Sequence, residues 1–407
     1  MIRSKKLKER TRGKPLPVPG RVFQEIAGTP NFLKGLFMMQ KKGSVLLVTV
    51  LALAGLPGCN SFFSSSSSAS HAVYVTVPSQ GIVAFRVNNK SGDSSAIIGS
   101  PFATGNSPFA IQVHPSKQFL YVSNASDDTI STFKIDGTSG ALTELSPRTL
   151  TRLSPQSLAM DSAGSFLYVG NETSNNLSVF SINPAGGALT EVSGSPFSTC
   201  TGPNSLVVSP TGKYLYVLCT NLNIVAAYAI NSGMLQEIVN SPFQVGAAPF
   251  ALAIDPTERF MYVINAPAST TNTGTVSEFT IGSSGALTLV PDSAFPAGTS
   301  PVAALVHPTG NFLYVANNGS NNISEFSIDP STGVLTELSG ETVAAGTNPV
   351  FMAFDDVSGW VDVGNQGSKN VTQFSVNQTT GILDTGMLTA VNSLTANDPP
   401  TAIAFGK

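Results

Sequence analysis

One short apolar phrase returns seven times along this 407-residue chain, and its spacing limits the folds that the chain can adopt. Six copies contain a tyrosine and the seventh, WVDV, contains an aspartate: Tyr74, Tyr121, Tyr168, Tyr216, Tyr262, Tyr314 and Asp362. The steps between them are 47, 47, 48, 46, 52 and 48 residues. This is the length of one four-stranded propeller blade, so the repeat predicts an all-β array over residues 71–407.

Four short strands can be assigned within each repeat. The unit that begins at Ser107 gives PFAIQV, FLYVSN, TISTFKI and ALTEL, which are separated by Gly, Pro, Asn and Asp. Such runs predict an antiparallel meander. The third strand carries one aromatic residue per repeat, which we expect to pack between neighbouring blades: Phe85, Phe133, Phe180, Tyr228, Phe279, Phe326 and Phe374.

The two ends of the array complement each other. The first repeat starts at His71 and has no inner strand, whereas the last residues, PTAIAF at 400–405, match the inner-strand phrase. We therefore predict a seven-bladed β-propeller of four-stranded blades, closed when the C-terminal strand joins the N-terminal blade. Closure removes the exposed sheet edge, and we expect a monomer.

The first 58 residues have the features of an export signal. Lys41 and Lys42 precede an apolar run from Val45 to Leu56, which ends in Leu56-Pro57-Gly58-Cys59. This ending resembles the lipobox of bacterial lipoproteins and implies lipidation of Cys59; a cleaved signal and an uncleaved anchor are the alternatives. Residues 59–70 form a Ser-rich tether. We expect an anchored protein of the bacterial cell envelope, translated from Met1, Met38 or Met39.

Charge and histidine placement exclude several function classes. Residues 59–407 contain 10 basic and 22 acidic side chains, so nucleic acid is not an expected partner. His71 lies beside the tether, and His114 and His307 fall in turns on the rim opposite the expected binding face. No metal-ligand spacing occurs, so neither a metal nor another cofactor is expected.

The repeat motifs resemble a known family. Tyr-Val-x-Asn after an inner strand, Gly-x-x-Pro before it and Gly-x-Leu-Thr-Glu-Leu are similar to the lactonase-like seven-bladed propellers, which include 6-phosphogluconolactonases of the propeller type and related cycloisomerases. The resemblance covers residues 71–407. The enzymes of this group carry His and Arg-His on inner strands, where this chain has Pro203-Asn204-Ser205 and Pro249-Phe250-Ala251. The resemblance therefore implies the fold more strongly than the chemistry.

An asparagine ends most second strands, on the rim that is the default binding face of a propeller. A short amide can bond loop backbone, so a structural role is the first interpretation and ligand binding the second. The residues are Asn124, Asn171, Asn265, Asn317 and Asn365.

A glycine column on the same rim has informative exceptions. We expect these glycines to need positive φ: Gly105, Gly246, Gly298 and Gly346. Arg152, Cys200 and Asn397 replace glycine in the other repeats. Arg152 is predicted to project over the central opening and grip a carboxylate, or else to pair with Glu172 or remain solvated. Glu172 resembles the acid of an Asn-Glu pair in the enzymatic relatives and could act as a general base.

The sequence also brings two cysteines close together. Cys200 precedes one strand of a predicted hairpin and Cys219 ends the other. In an exported protein this arrangement favours a disulfide, with two free thiols as the alternative.

Three hypotheses for function remain open from the sequence. The first is a module that binds a small ligand or an envelope protein at the rim, with the insertion at 266–274 as a candidate contact. The second is hydrolysis of an unphosphorylated lactone, with Glu172 as base and Arg152 polarising the carbonyl. The third is a scaffold whose central funnel is plugged by apolar side chains.

Overall fold

The computed structural model describes residues 69–266, 273–338, 342–384 and 399–407. These residues belong to one compact unit, Ser65–Lys407. They form seven antiparallel sheets, each with four strands in meander order, and the predicted seven-bladed propeller is confirmed. The signal segment, Cys59, most of the tether, the centre of the 266–274 insertion and Asn397 lie outside the described residues. No helix in the described part is long and apolar enough to cross a membrane.

Blades 1 to 4 follow one another along the chain. Blade 1 contains β1 (Ser70–Val77), β2 (Gly81–Asn88) and β3 (Ser94–Ala96). Blade 2 contains β4 (Pro108–Val113), β5 (Phe119–Asn124), β6 (Thr129–Ile135) and β7 (Leu142–Leu150). Blade 3 contains β8 (Pro155–Met160), β9 (Phe166–Asn171), β10 (Asn176–Ile182), β11 (Leu189–Glu191) and β12 (Phe197–Ser198). Blade 4 contains β13 (Pro203–Val208), β14 (Tyr214–Cys219), β15 (Ile224–Asn231), β16 (Met234–Glu237) and β17 (Phe243–Gln244), with a 3₁₀ turn at Thr220–Leu222.

Three further blades and one final strand complete the wheel. Blade 5 contains β18 (Pro249–Ile254), β19 (Phe260–Asn265), β20 (Thr273–Ile281) and β21 (Leu287–Thr299). Blade 6 contains β22 (Pro301–Val306), β23 (Phe312–Asn317), β24 (Asn322–Ile328), β25 (Leu335–Glu337) and β26 (Val343–Ala344). Blade 7 contains β27 (Pro349–Asp355), β28 (Trp360–Asn365), β29 (Asn370–Val376) and β30 (Leu383–Asp384), and β31 (Ala402–Phe405) returns to blade 1.

The core lies between blades. Seven apolar clusters are present, and each combines residues of two adjacent blades. Each cluster contains one of the seven third-strand aromatics, so their predicted packing is confirmed. A single blade therefore buries its faces only against its neighbours.

The repeated tyrosine links five pairs of neighbouring blades by a buried hydrogen bond, whereas the Tyr168 hydroxyl is buried without a hydrogen-bond partner among the described residues. In the five pairs the tyrosine hydroxyl donates to the carbonyl of a glycine in the outer turn of the next blade. The pairs are Tyr74 with Gly140 (2.7 Å), Tyr121 with Gly187 (2.9 Å), Tyr216 with Gly285 (2.9 Å), Tyr262 with Gly333 (2.8 Å) and Tyr314 with Gly381 (2.6 Å). Burial raises the pKa of these phenols, so they remain donors.

The C-terminal strand closes the ring as predicted. Strand β31 pairs antiparallel with β1, from Val73 opposite Phe405 to Thr76 opposite Ala402. The Thr401 hydroxyl adds a 2.8 Å hydrogen bond to Thr76 Oγ1. The two paired strands come from opposite ends of the repeat region, so the closure prediction is confirmed.

The interface between blades 7 and 1 has no tyrosine at the repeated position. Asp362 takes the tyrosine position, and the buried His71 lies 2.9 Å from Asp355. The sequence placed His71 beside the tether, and the structure adds that its ring is buried, because β1 begins at Ser70. Burial would lower the pKa of His71, but the hydrogen bonds to Asp355 and Asn89 raise it overall. Burial, with repulsion from Asp355, raises the pKa of Asp362 to about 8.

Two buried glutamates make stability depend on pH. Burial raises the pKa of Glu278 and of Glu325 to about 7, from 4.5. Between these values the unfolded chain binds fewer protons, so the free energy of unfolding falls as pH rises. We expect urea unfolding at pH 5 and pH 8 to show this loss, on the order of 2 kcal/mol per carboxyl.

The matched variant is Glu278→Gln with Glu325→Gln. It should unfold with a smaller difference between pH 5 and pH 8, and the remainder should come from His71 and Asp362, whose folded pKa values are also raised. Asp355 acts in the opposite direction, but its lowered pKa places that effect below pH 4. An unchanged pH dependence in the double variant would contradict the assignment.

A chain truncated after residue 398 tests the closure. It lacks β31 and exposes the edge of β1, so the melting temperature should fall by on the order of 5 °C. A synthetic peptide of residues 399–407 should restore the loss. Melting like that of the full chain, with a monomeric species in light scattering, would show that β31 does not support the ring.

Candidate functional site

The inner strands share a local device that presents side chains to the central opening. In six blades a residue with left-handed φ precedes the first proline of the strand: Ser107 (53°), Ser154 (58°), Gly202 (69°), Ala248 (52°), Ser300 (50°) and Asn348 (51°). A register shift with the second strand follows each proline. Such bulges redirect a side chain. The residues after the six prolines are Phe109, Gln156, Asn204, Phe250, Val302 and Val350.

All six of these residues line one cavity at the centre of the wheel, with a volume of about 450 Å³. The polar and apolar residues of the cavity wall lie in separate sectors. Blades 3 and 4 supply Gln156, Glu172, Asn204 and Ser205, and the other lining residues are apolar. Phe109 and Phe250 flank this polar sector and are 41% and 44% exposed. The arrangement suits a small ligand with an apolar body and one polar end.

Glu172 is the one charged side chain among the described residues of this cavity wall. It follows β9, and its backbone N–H donates to the Ser154 carbonyl at 2.9 Å. The Gln156 amide donates to its carboxylate. These contacts hold the carboxylate at the opening, and Glu172 was a predicted site residue.

Arg152 was predicted to lie over the central opening, to pair with Glu172 or to remain solvated, and its contacts contradict the first two predictions. One guanidinium nitrogen lies 3.1 Å from Glu191 Oε1, and another donates to the Thr151 carbonyl at 3.2 Å. Strand β11 brings the Glu191 carboxylate within reach, so the side chain is held away from the cavity wall. It is therefore not a candidate for polarising a substrate carbonyl.

The five rim asparagines lie inside the blades. Each is at most 2% exposed, and its amide donates to a hydroxyl of the third strand. The pairs are Asn124 with Ser131 (3.1 Å), Asn171 with Ser178, Asn265 with Ser277, Asn317 with Ser324 and Asn365 with Thr372 (each 2.9 Å). The structure supports the first interpretation, a structural role. A binding role is not supported, because no side chain reaches the surface.

Glycine is required at the four column positions for a different reason from the predicted one. Gly105, Gly246, Gly298 and Gly346 do not have positive φ. A Cβ at each would lie 2.5 or 2.6 Å from the amide carbon of the rim asparagine. Glycine is required because the asparagine packs directly against it.

The two cysteines occupy this same contact in blade 4. Cys200 stands in the glycine column and Cys219 in the asparagine column, and a disulfide joins them with Cα atoms 6.1 Å apart. The bond thus takes the place of the Asn–Gly contact. Aligning the two columns would have revealed this from sequence.

The histidines take no part in the cavity. His114 and His307 are buried in turns, where their Nδ1 atoms lie 2.8 Å from Ser116 and Thr309 hydroxyls. Within the described residues, no cluster of three His, Cys, Asp or Glu side chains could hold a metal. A second cavity, of about 760 Å³, lies between blades 6 and 7. Its lining ends at Asp384, the last described residue before 399, and we assign no site there.

The family model for the seven-bladed β-propeller lactonases matches residues 81–201 and 201–396. The chain therefore belongs to the lactonase family of seven-bladed propellers. It is similar to the solved structure of a Bacteroides fragilis protein that is described as a putative 6-phosphogluconolactonase. The TM-score is 0.71 and the identity 20%, over 84% of this chain and 99% of that one. It is also similar to the periplasmic gluconolactonase of Pseudomonas aeruginosa, with a TM-score of 0.69 and 20% identity over 83% of this chain and 99% of that one. No curated protein matches it.

Two paired variants test the substitution of a disulfide for the Asn–Gly contact. Cys200→Ser with Cys219→Ser should lose about 3 kcal/mol of unfolding free energy. Cys200→Gly with Cys219→Asn and Ala226→Ser rebuilds the contact of the other blades, including the third-strand hydroxyl that the amide requires, and should lose less. Urea unfolding of both variants measures the difference; equal losses would show that the position needs only the covalent bond.

Proposed function

We propose that this protein binds a small, largely apolar ligand in the central cavity. The observation that carries the proposal is the open space of about 450 Å³ onto which six bulged inner-strand residues converge. This volume is in the range of small-molecule sites. An open cavity also weighs against the scaffold with a plugged funnel.

The chemistry of the cavity wall favours binding over the established chemistry of the family. No Lys, Arg or His is present among its lining residues. Phe250 and Asn204 occupy the inner-strand positions where the enzymatic relatives were expected to carry Arg or His. A phosphorylated sugar would therefore find no cation to hold it.

The proposal includes a location for the protein, anchored in the bacterial cell envelope. Cys59 would be lipidated and the Ser-rich tether would hold the propeller away from a bacterial membrane. The basis is the lipobox-like ending and the apolar run before it. The 266–274 insertion remains a candidate contact for an envelope partner.

Hydrolysis of an unphosphorylated lactone is the second candidate. Family membership and the position of Glu172 in the cavity favour it, since a carboxylate there could activate a water molecule. The similar periplasmic protein of Pseudomonas aeruginosa is named as a gluconolactonase. With Arg152 held elsewhere, the described cavity wall offers only neutral donors to a developing oxyanion, namely side-chain amides, the Ser205 hydroxyl and backbone groups.

A neutral fluorescent dye tests binding. N-phenyl-1-naphthylamine should gain fluorescence with the purified protein, and Phe109→Ala with Phe250→Ala should weaken binding by about tenfold, because both rings leave the cavity wall. Leu150→Ala with Leu153→Ala removes exposed apolar side chains elsewhere and should leave binding unchanged. Equal losses in both variants would show nonspecific adsorption.

Base consumption in a pH-stat separates the two candidates. With gluconolactone and several aryl and acyl lactones, the binding proposal expects only the uncatalysed rate. A lactonase would show turnover that falls by about 100-fold or more in Glu172→Gln. Arg152→Ala, outside the cavity, should retain that turnover.

A further inference from the structure

The cavity wall also indicates the charge of its ligand. We propose that the ligand is an organic amine in its protonated form, with an apolar body and at least one N–H donor. This inference rests on the proposed function and names the ligand class of the same site. It requires a negative group at the polar end, unpaired acceptors for the N–H groups and an apolar wall for the body.

The negative group is Glu172, which has no cationic partner among the described residues. Its observed side-chain contact is the neutral amide of Gln156. The nearest arginine along the chain, Arg152, is held by Glu191 at 3.1 Å. Gln156 can orient the carboxylate but cannot neutralise it.

A second carboxylate strengthens the negative potential on this side of the opening. Asp128 Oδ1 accepts a hydrogen bond from the Ser154 backbone N–H at 2.8 Å, two residues before Gln156. The body of the protein is itself acidic, with 22 acidic against 10 basic side chains over residues 59–407. Anionic ligands are therefore repelled from the cavity, and cations are attracted.

The unpaired acceptor is Asn204 Oδ1. This atom is buried and has no hydrogen-bond partner among the described residues. Asn204 lines the cavity from blade 4, next to the blade that carries Glu172. Rotation of the Asn204 amide turns this oxygen toward the cavity. An ammonium group with two or three N–H donors can then bond to both acceptors, which a quaternary ammonium group cannot do.

The apolar wall completes the site. Phe109 and Phe250 stand on the two sides of the polar sector, so a cation held there lies near aromatic faces. Val302, Val350 and Met352 form much of the opposite wall and can cover an alkyl or aryl body. A sugar would leave most of its hydroxyls without partners on such a wall.

Isothermal titration calorimetry of the full-length protein with three ligands of similar shape tests the inference: 2-phenylethylammonium, 2-phenylethanol and phenylacetate. The amine should bind about tenfold more tightly than the alcohol, because a hydrogen bond to a charged group is stronger than a neutral one. Phenylacetate should bind more weakly than the alcohol. Raising the salt concentration should weaken binding of the amine and leave binding of the alcohol unchanged.

The matched variants are Glu172→Gln and Glu237→Gln, which remove one negative charge inside and outside the cavity without releasing a cation. Glu172→Gln should abolish the preference for amine over alcohol, and Glu237→Gln should retain it. Asn204→Leu should weaken the amine more than the alcohol. This pattern would support the proposal.

The failures of the two proposals can be told apart. If alcohol and amine bind equally and Glu172→Gln changes neither, the cavity binds ligands but the amine inference is wrong. If none of the three ligands binds and the neutral dye is also excluded from the cavity, both proposals are wrong. If the amine preference is lost equally in Glu237→Gln, the effect is one of overall charge, and the assigned site is wrong.

Discussion

The fold depends on packing between blades, because no blade can bury its own faces. Each apolar cluster is shared by two neighbours, and in five of the described interfaces a tyrosine hydroxyl reaches the outer turn of the next blade. This hydrogen bond fixes the position of one sheet relative to the next within a buried contact. Blades 7 and 1 replace it with the polar contact of His71 and Asp355, where the two chain ends meet. A ring of neighbour contacts is complete only when its last interface forms.

The same regularity leaves the centre free to vary. The inner strands use one backbone device in six blades, a left-handed residue followed by proline and a bulge. The device sets the direction of the next side chain without fixing its identity. Six residues of four chemical types therefore face one cavity at little cost to the core, and the polar ones lie together in blades 3 and 4.

Sequence columns predicted contacts well where every blade repeats them. The third-strand aromatics and the closing strand were correctly placed, since periodicity alone determines which residues share a position. Exceptions to a column were harder to interpret. Arg152 was assigned to the opening, but its partner Glu191 lies 39 positions further along the chain and on an outer strand. Gly105 was assigned to positive φ, whereas the close approach of Asn124 requires it.

The sequence by itself determined the number of blades, their strand order, the interblade aromatics and the closure, because each follows from a repeat length and an alternating pattern. Only the tertiary structure decided that the rim asparagines are buried, that the column glycines pack against them, and that Glu172 reaches the cavity without Arg152. Those outcomes depend on the direction of each side chain and on neighbours distant in sequence. A one-dimensional pattern does not contain that information.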